Sequence, residues 1–501
     1  MYVLLGIIAG LLGVLVIVTW YTSKRLVGMP GVSQLLPLSP FRIPLLADKM
    51  YIFGVPNGAS RDLLKSTKDG IARITTFNSN TVFVSNLEVV KDIMLKKSDN
   101  FYKPTEFYDY ISLFGDNLLN TNDSEWRKHR VVADPAFAEQ NYTYLIQKSA
   151  EATDMLIERL QAQHESKGRT IIDPFDEIQD ATLDVIGKVA FGYDFGIFKP
   201  KPIPKGFQMS FLDAIKTTLT WGIGVNLTTP NFLKKYLFPK TTLAVAETKQ
   251  YMNQLIQDRR NDMDAVKYDL LSMLVDSNLS REGGLSDAEI MSDVFIFLIA
   301  GHETSSVTLQ WLLYHLCVHP ECQDKLYEEI KKVCAVDGTF TMSQYEDLHY
   351  LRACIQETLR LNPPVVGIPK KCRAATKIGP YVVPAGTDFV VDVDHIQTSE
   401  QNWKNPTTFN PDRFDSRSSD YVKKHPCSLL PFSLGQRKCI GFRFSEIEMA
   451  VMMSKFVLYY KFSLPKDDPL MQTKQVLKGD ITKWQQVTCK PYYLRVEFTK
   501  R

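Results

Sequence analysis

The ten residues Phe432-Ser433-Leu434-Gly435-Gln436-Arg437-Lys438-Cys439-Ile440-Gly441 decide how this chain folds and what it can bind. A metal-binding thiolate needs a curled backbone, so that amide N–H groups can reach its sulfur, and Gly435 permits such a turn before Cys439. Gly441 lets a following helix approach a flat cofactor closely. Arg437 places a cation near an anionic group, and Phe432 supplies an aromatic wall. A stray cysteine in a surface loop, the competing interpretation, leaves the spacing of the other four residues unexplained.

The composition is that of an ordinary globular protein. The 501 residues contain 59 Lys and Arg against 56 Asp and Glu, so the formal net charge is only +3. A charge this small does not indicate a nucleic-acid partner. The eight cysteines have no paired spacing, and none precedes Cys317, so neither a structural zinc site nor a disulfide framework is indicated.

The first segment of the chain is apolar and uncharged. Residues Tyr2 to Trp20 contain no charged side chain, and a helix of that length reaches roughly 28 Å, about the hydrocarbon thickness of a bilayer. A cleaved signal peptide would carry positive charge before a shorter apolar stretch, whereas here Lys24 and Arg25 follow it. We therefore expect a transmembrane anchor over residues 1–22, with the rest of the chain in the cytosol.

The remaining chain predicts a proline-rich hinge over residues 23–45 and one large domain over residues 46–501. Ile71–Phe77 and Thr81–Ser85 flank a likely hairpin turn, and most of the chain from about Leu118 to Arg360 has the pattern of helices. Examples of predicted helices are Tyr142–Gln163, Asp173–Phe191, Leu243–Met263, Asp287–His315 and Gln323–Val333. Predicted strands near the end are Tyr381–Val383, Phe389–Val393 and Tyr492–Phe498. The expected fold class is mainly α with small β-sheets (α+β).

The segment around Cys439 resembles the haem-binding signature of the cytochrome P-450 family, F-x-x-G-x-R-x-C-x-G, at each specified position. The resemblance implies the cytochrome P-450 fold, here preceded by one transmembrane helix. It also implies that the Cys439 thiolate binds the iron of haem b, a ligation that favours cleavage of the O–O bond of O₂. The sequence flanking Trp126 looks most like fungal members of the family.

A second segment, Ala300-Gly301-His302-Glu303-Thr304, lies within a long apolar helix. Glycine inside a helix costs about 1 kcal/mol relative to alanine, and we expect the missing side chain to leave room for O₂ beside the iron. The Thr304 hydroxyl can bond the Ala300 carbonyl, and Glu303 beside it completes an acid–alcohol pair suited to relaying protons. The alternative is a solvated glutamate next to a back-bonded threonine. His302 is expected to make a polar core contact rather than to bind iron.

Three further matches concern structural and haem-binding residues. Glu357 and Arg360 share a helix face, and the resemblance implies that they form a buried structural triad with Arg413. It also implies that Trp126 and Arg130 bind haem propionates. The family's usual propionate arginine is replaced, and either Lys370 or Arg373 takes its role, although lysine cannot make the bidentate carboxylate contact.

The substrate pocket is expected to be apolar, with few fixed polar groups. Ordinary core packing explains any one of its candidate residues equally well. The candidates are Phe107, Tyr108, Phe114, Phe297, Val366 and Ile368.

The resemblance implies a monooxygenase that takes O₂ and electrons from an NADPH-dependent flavoprotein reductase, with cytochrome b5 as a further candidate partner. The expected setting is the endoplasmic reticulum membrane, with one transmembrane pass, contact with membrane lipid, a cytosolic catalytic domain and no nucleic acid. Two alternatives are a haem-thiolate isomerase or dehydratase, and a haem-binding carrier or sensor without turnover.

Deleting residues 1–25 is expected to release most of the protein from membranes and to leave haem incorporation intact. The reason is that every haem motif lies beyond Gly115. Membrane flotation and the absorbance spectrum of the soluble fraction measure the two effects. A soluble, folded truncation without a haem spectrum would contradict the separation of anchor and catalytic domain.

Overall fold

The computed structural model describes residues 26, 28–33, 58–76, 79–108, 111–261, 269–279, 284–479, 481, 483–485 and 488–501. The predicted anchor over residues 1–22 and most of the predicted hinge over residues 23–45 lie outside this part of the chain. Among the described residues, none of the helices has both the length and the apolar character that a bilayer crossing requires.

The secondary structure is mostly helical, with small sheets, as the sequence predicts. The helices are α1 (Gly58–Lys65), α2 (Leu87–Lys91), α3 (Thr105–Tyr108), α4 (Asp123–Ala133), α5 (Tyr142–Lys167), α6 (Pro174–Phe191), α7 (Phe211–Thr217), α8 (Ile223–Thr228), α9 (Asn231–Leu237), α10 (Pro239–Asn261), α11 (Leu270–Leu279), α12 (Asp287–Val318), α13 (Pro320–Val333), α14 (Met342–Asp347), α15 (His349–Leu361), α16 (Val393–Thr398), α17 (Phe442–Tyr459) and α18 (Lys474–Leu477). The strands are β1 (Gly31–Ser33), β2 (Ile71–Thr76), β3 (Ser79–Val84), β4 (Phe101–Tyr102), β5 (Thr170–Ile172), β6 (Gly367–Cys372), β7 (Thr376–Ile378), β8 (Tyr381–Val383), β9 (Asp388–Asp392), β10 (Tyr460–Ser463), β11 (Lys483–Gln485), β12 (Cys489–Pro491) and β13 (Val496–Lys500).

The chain forms two compact units. The first unit takes residues up to 107, 365–407 and 423–439, and the second takes residues 108–364, 408–422 and 440–501. Both units therefore draw on distant parts of the sequence.

The first unit is built on a six-stranded sheet with the order β1-β2-β3-β9-β6-β4. The predicted hairpin is present as β2 and β3, which pair antiparallel from Ile71 opposite Val84 to Thr76 opposite Ser79. Side chains alternate between the faces of a strand, and both faces of this sheet are apolar: Val82 lies in one buried cluster and Phe83 in another. Strand β6, which carries Lys370, pairs antiparallel with β9 and is fixed by this packing.

The second unit is dominated by α12, a helix of 32 residues. Ser286 and Glu289 form a capping box at its start, which satisfies two of the backbone donors that a helix leaves unpaired. Helix α12 packs along α6, and the two approach closely at Gly301, where an added Cβ would lie 2.7 Å from the Cδ1 atom of Ile186. The missing side chain therefore lets two helices pack tightly.

The predicted strand Tyr492–Phe498 is wrong in its bounds. The chain forms β12, which ends at Pro491 and pairs with β11, and then β13, which begins only at Val496. Proline has no N–H group, so it ends a ladder readily, and the residues between the strands make other contacts. The Tyr493 hydroxyl, for example, bonds the carboxylate of Asp468 at 3.2 Å.

A buried ion cluster joins α15 to a later segment of the second unit. Glu357 receives hydrogen bonds from the Nε atom of Arg360 at 2.7 Å and from the Nε atom of Arg413 at 3.2 Å. The backbone N–H group of Asn410 donates to the same carboxylate at 2.9 Å. The Glu357 and Arg360 side chains are 0% exposed. The structure thus brings together the three residues of the expected triad.

Replacing Arg360 with alanine is expected to destabilise the fold by about 3–5 kcal/mol, because it leaves the Glu357 carboxylate buried with too few partners. The matched control is Lys148→Ala, which breaks an ion pair with Glu151 of the same i, i+3 spacing whose side chains are 20% and 42% exposed. Ion pairs that solvent reaches contribute about 0–1 kcal/mol to the free energy of unfolding. Thermal unfolding of both variants measures the difference, and equal losses would contradict a special role for the buried cluster.

Candidate active site

Cys439 ends a tight turn of the first unit. Its backbone N–H donates to the Phe432 carbonyl at 2.9 Å, and the Lys438 N–H donates to the Gly435 carbonyl at 3.0 Å. Gly435 has a φ of +74°. A Cβ atom at this position would lie 2.6 Å from the carbonyl oxygen of Met94, so both the backbone conformation and the space require glycine. The turn presents one thiol: Cys439 is exposed, and the other seven cysteines are buried or half-buried.

Three cations of the first unit lie near this turn. Lys370 is 5% exposed, and burial together with the charge of Arg437 lowers its pKa to about 8. Burial and the charges of Arg437 and Lys370 also hold the pKa of Lys103 well below its usual range, and the proximity of Cys439 acts in the opposite direction. Neighbouring like charges that are partly removed from water are costly unless an anion joins them. This cluster therefore fits a ligand that carries carboxylates.

Arg373 lies differently from Lys370. Its side chain is exposed, its Nε atom donates to the Asp99 carbonyl at 3.1 Å, and its guanidinium lies 4.7 Å from the centre of the Tyr102 ring. Of the two candidates that the sequence left open, Lys370 is therefore the one beside Arg437. Lys103 was missed, since a single lysine before a proline carries no pattern that indicates a site.

The central part of α12 is buried up to Ala300. Residues 290–299 are all buried, but Ala300 is exposed. The Thr304 hydroxyl donates to the Ala300 carbonyl at 2.8 Å, the back-bond that the sequence predicts. A Cβ at Gly301 would lie 2.7 Å from the Cδ1 atom of Ile186, so helix packing is a second reason for this glycine beside the expected room for O₂.

Glu303 has a partner that the sequence did not indicate. Its Oε1 atom accepts a hydrogen bond of 2.6 Å from the Thr488 hydroxyl, and Thr488 stands 185 residues further along the chain. His302 is buried and its Nδ1 atom bonds the Leu298 carbonyl, while burial lowers its pKa. A neutral histidine held in this way fits the expected core contact.

Helix α4, which carries Trp126 and Arg130, is tied to α12. The Nδ1 atom of His129 lies 2.6 Å from the carboxylate of Asp293, and both side chains are 0% exposed. Burial raises the pKa of Asp293, and the bond to His129 opposes that shift. Arg130 donates from Nε to Asp134 at 2.7 Å, and Trp126 is half-buried. The pair of His129 and Asp293 fixes the helix on which both propionate candidates lie.

The candidate pocket residues fall in both units. In the second unit, Phe114 packs edge-on against Phe295 at 4.7 Å, and Phe297 packs against Phe137 at 5.8 Å. A Cβ at Gly441 would meet Phe137 at an ordinary 3.6 Å, so packing among the described residues does not require glycine there. The other candidates are placed as follows: Tyr108 is buried and Phe107 half-buried, Val366 is buried, and Ile368 belongs to the apolar core of the first unit.

Taken together, these residues fit a haem group. The accessible thiol of Cys439 would be a suitable ligand for iron. The buried Lys370 and the half-buried Arg437 and Lys103 near it would suit the two negative charges of haem carboxylates.

Comparison with known proteins agrees with this chemistry. The family model described as Cytochrome P450 matches residues 59–484. "Cytochrome P450 monooxygenase 124" of Postia placenta is 30% identical over 430 residues, which cover 82% of this chain and 80% of that protein. "Cytochrome P450 4X1" of Mus musculus is 29% identical over 364 residues, covering 69% of this chain and 70% of that protein.

The fold has solved counterparts. The crystal structure of the cytochrome P450DA heme domain superposes with a TM-score of 0.75 at 22% sequence identity and covers 88% of this chain and 92% of that one. This likeness shows the fold, and the sequence matches show the family. The chain belongs to the cytochrome P450 family.

Proposed function

We propose that the protein is a haem-thiolate monooxygenase that inserts one oxygen atom from O₂ into an apolar small molecule. The observation that carries the proposal is the exposed Cys439 thiol, held in a glycine-dependent turn near the cations Lys370 and Arg437. Members of the family use haem iron and O₂ with electrons from a reductase partner. The proposed reaction is hydroxylation, in one step or several, of a secondary metabolite, terpenoid, steroid or fatty-acid-like compound.

The haem, when bound, supplies oxygen activation, and the protein supplies binding, orientation and electrostatics. Cys439 would hold the iron through its thiolate. Lys370, Arg437 and Lys103 would bind haem carboxylates, and an anion beside Lys370 would raise its pKa from about 8 towards the ordinary value. Trp126 and Arg130 of the second unit are also proposed to bind haem propionates.

Protons are proposed to move through the acid–alcohol pair on α12. Thr304 donates its hydroxyl hydrogen to the Ala300 carbonyl, so its Oγ1 lone pairs can accept a hydrogen bond from water or from an acid and hold it in place for proton transfer. The Glu303 carboxylate, one residue earlier, can hold and release a proton in turn. Phe114 and Phe297 would exclude water from the space that the substrate occupies. The exclusion of water strengthens the polar interactions of Glu303 and Thr304.

The proposed setting is the endoplasmic reticulum membrane, reached through the anchor over residues 1–22. An NADPH-dependent flavoprotein reductase on that membrane is the proposed electron donor, with cytochrome b5 as a further candidate. The apolar, uncharged stretch from Tyr2 to Trp20 supports this proposal.

Two other functions remain as alternatives that experiment separates. An isomerase or dehydratase, or a carrier without turnover, has no need for an acid–alcohol pair, and this chain keeps both Glu303 and Thr304. Expression in a reductase-bearing microsomal host with a panel of apolar metabolites, read by mass spectrometry for added oxygen, tests the monooxygenase directly.

Cys439→Ser is expected to abolish thiolate ligation, because an alcohol is a far poorer anionic ligand. The spectrum of the reduced, CO-bound protein should lose its thiolate-type long-wavelength Soret band. If the variant keeps this band, Cys439 is not the iron ligand, and one of the other seven cysteines must be.

Thr304→Ala is expected to retain haem and substrate binding but to lower product formed per NADPH, on the order of tenfold to a hundredfold, with peroxide released instead. Product, NADPH and peroxide are measured together. The matched control is Thr308→Ala one turn further along α12, which removes a similar back-bond of 2.9 Å to the Thr304 carbonyl. Equal coupling in both variants and the unmodified enzyme would show that the Thr304 hydroxyl does not relay protons.

A further inference from the structure

We propose that Thr488 is the positioning residue for the Glu303 carboxylate, and that it acts on the reaction only through that carboxylate. The inference rests on the proposed function, because it assigns a second residue to the proton pathway of Glu303 and Thr304. Thr488 lies outside every motif by which the sequence indicates a site.

The hydrogen bond between the two side chains is short and shielded from solvent. The Thr488 hydroxyl donates to Oε1 of Glu303 at 2.6 Å, and Thr488 is 3% exposed. Hydrogen bonds from a hydroxyl to an ionised carboxylate at this distance are about twice as strong as neutral ones. One orientation of the Glu303 carboxylate is therefore strongly preferred.

The backbone beside Thr488 is fixed independently of this bond. The Cys489 carbonyl accepts a hydrogen bond of 3.0 Å from the Nε1 atom of Trp311, and the Cys489 N–H donates to the Pro364 carbonyl at 2.8 Å. Trp311 follows Glu303 by about two helical turns, so both lie towards the same face of α12. Strand β12 thus runs along that face, and Thr488 meets Glu303 from a held position.

A cation lies near the pair. Lys490 follows two residues later and is attracted by Glu303, as well as by Asp173 and Asp176. Burial lowers the pKa of this lysine, and the three carboxylates oppose that shift. Its ammonium also lies 3.4 Å from the centre of the Phe175 ring, which orients the cation.

Glu303 and Thr304 have separate partners in this arrangement. The Thr304 hydroxyl donates to the Ala300 carbonyl, and Glu303 accepts from Thr488. The hydroxyl of Thr488 therefore sets the position of the Glu303 carboxylate relative to the Thr304 hydroxyl. Loss of this hydroxyl would leave a half-buried carboxylate with several orientations, and fewer of them would suit proton transfer to Oγ1 of Thr304.

The test compares Thr488→Val, which keeps the shape and loses the hydroxyl, with Thr488→Ser, which keeps the hydroxyl. The unmodified full-length holoenzyme with reductase is first tested on three probe substrates, lauric acid, progesterone and limonene. The probe that it oxidises is then used for every variant. We expect Thr488→Val to lower product per NADPH roughly fivefold and to raise peroxide, since a charge-assisted hydrogen bond is lost, and Thr488→Ser to restore both. In a double variant that combines Glu303→Gln with Thr488→Val, product per NADPH should be no lower than in Glu303→Gln alone, because Thr488 acts through the carboxylate.

A second measurement separates positioning from a merely structural role. Hydrogen–deuterium exchange of residues 488–491 in the resting holoenzyme should be the same in Thr488→Val and the unmodified protein, because Pro364 and Trp311 hold Cys489. Faster exchange together with uncoupling that Thr488→Ser does not repair would overturn the proposal in favour of a loosened strand.

The outcomes also separate this proposal from the proposed function. If Thr304→Ala uncouples the enzyme and Thr488→Val does not, the positioning role is overturned and the proton pathway stands. If Thr304→Ala leaves coupling unchanged, the proton pathway itself is overturned, and the role of Thr488 with it.

Discussion

The rest of the site depends on the backbone turn that ends at Cys439. The turn closes through the hydrogen bond from the Cys439 N–H to the Phe432 carbonyl, and it passes through Gly435 at a φ that side chains disfavour. The same glycine lies against the carbonyl of Met94, where a Cβ would stand at 2.6 Å. Because Gly435 has no side chain, the turn can pack against the backbone at Met94 and expose the Cys439 sulfur. Because the turn holds the thiol near the cations, one ligand could contact both.

The protein contains two groups of neighbouring charged side chains, one with both signs of charge and one with positive charges only. Glu357, Arg360 and Arg413 satisfy one another, with the N–H of Asn410 completing the carboxylate's partners. Such a cluster is part of the fold and needs no ligand. Burial and the charge of Arg437 instead lower the pKa values of Lys370 and Lys103, and Lys370 also lowers the pKa of Lys103. A group of neighbouring like charges indicates a site for an anionic ligand, whereas a balanced group indicates structure.

Local patterns predicted the elements that local chemistry controls. The hairpin of β2 and β3, the long helices around α12 and the back-bond of Thr304 all follow from periodicity or from residues within one turn. Contacts between distant residues were not predictable in this way. Thr488 reaches Glu303 across 185 residues, and His129 reaches Asp293 across 164. Gly301 was assigned to O₂ because the sequence does not show that Ile186 of another helix fills the space.

We propose that a single cysteine sulfur binds the haem iron and that the neighbouring cations bind the haem carboxylates. X-ray absorption at the iron K edge of the purified resting holoprotein tests it most directly, because the fine structure counts the sulfur atoms bonded to iron. The account predicts one sulfur scatterer in the first coordination shell. A first shell of nitrogen and oxygen alone would contradict it, since none of the eight cysteines could then be the ligand.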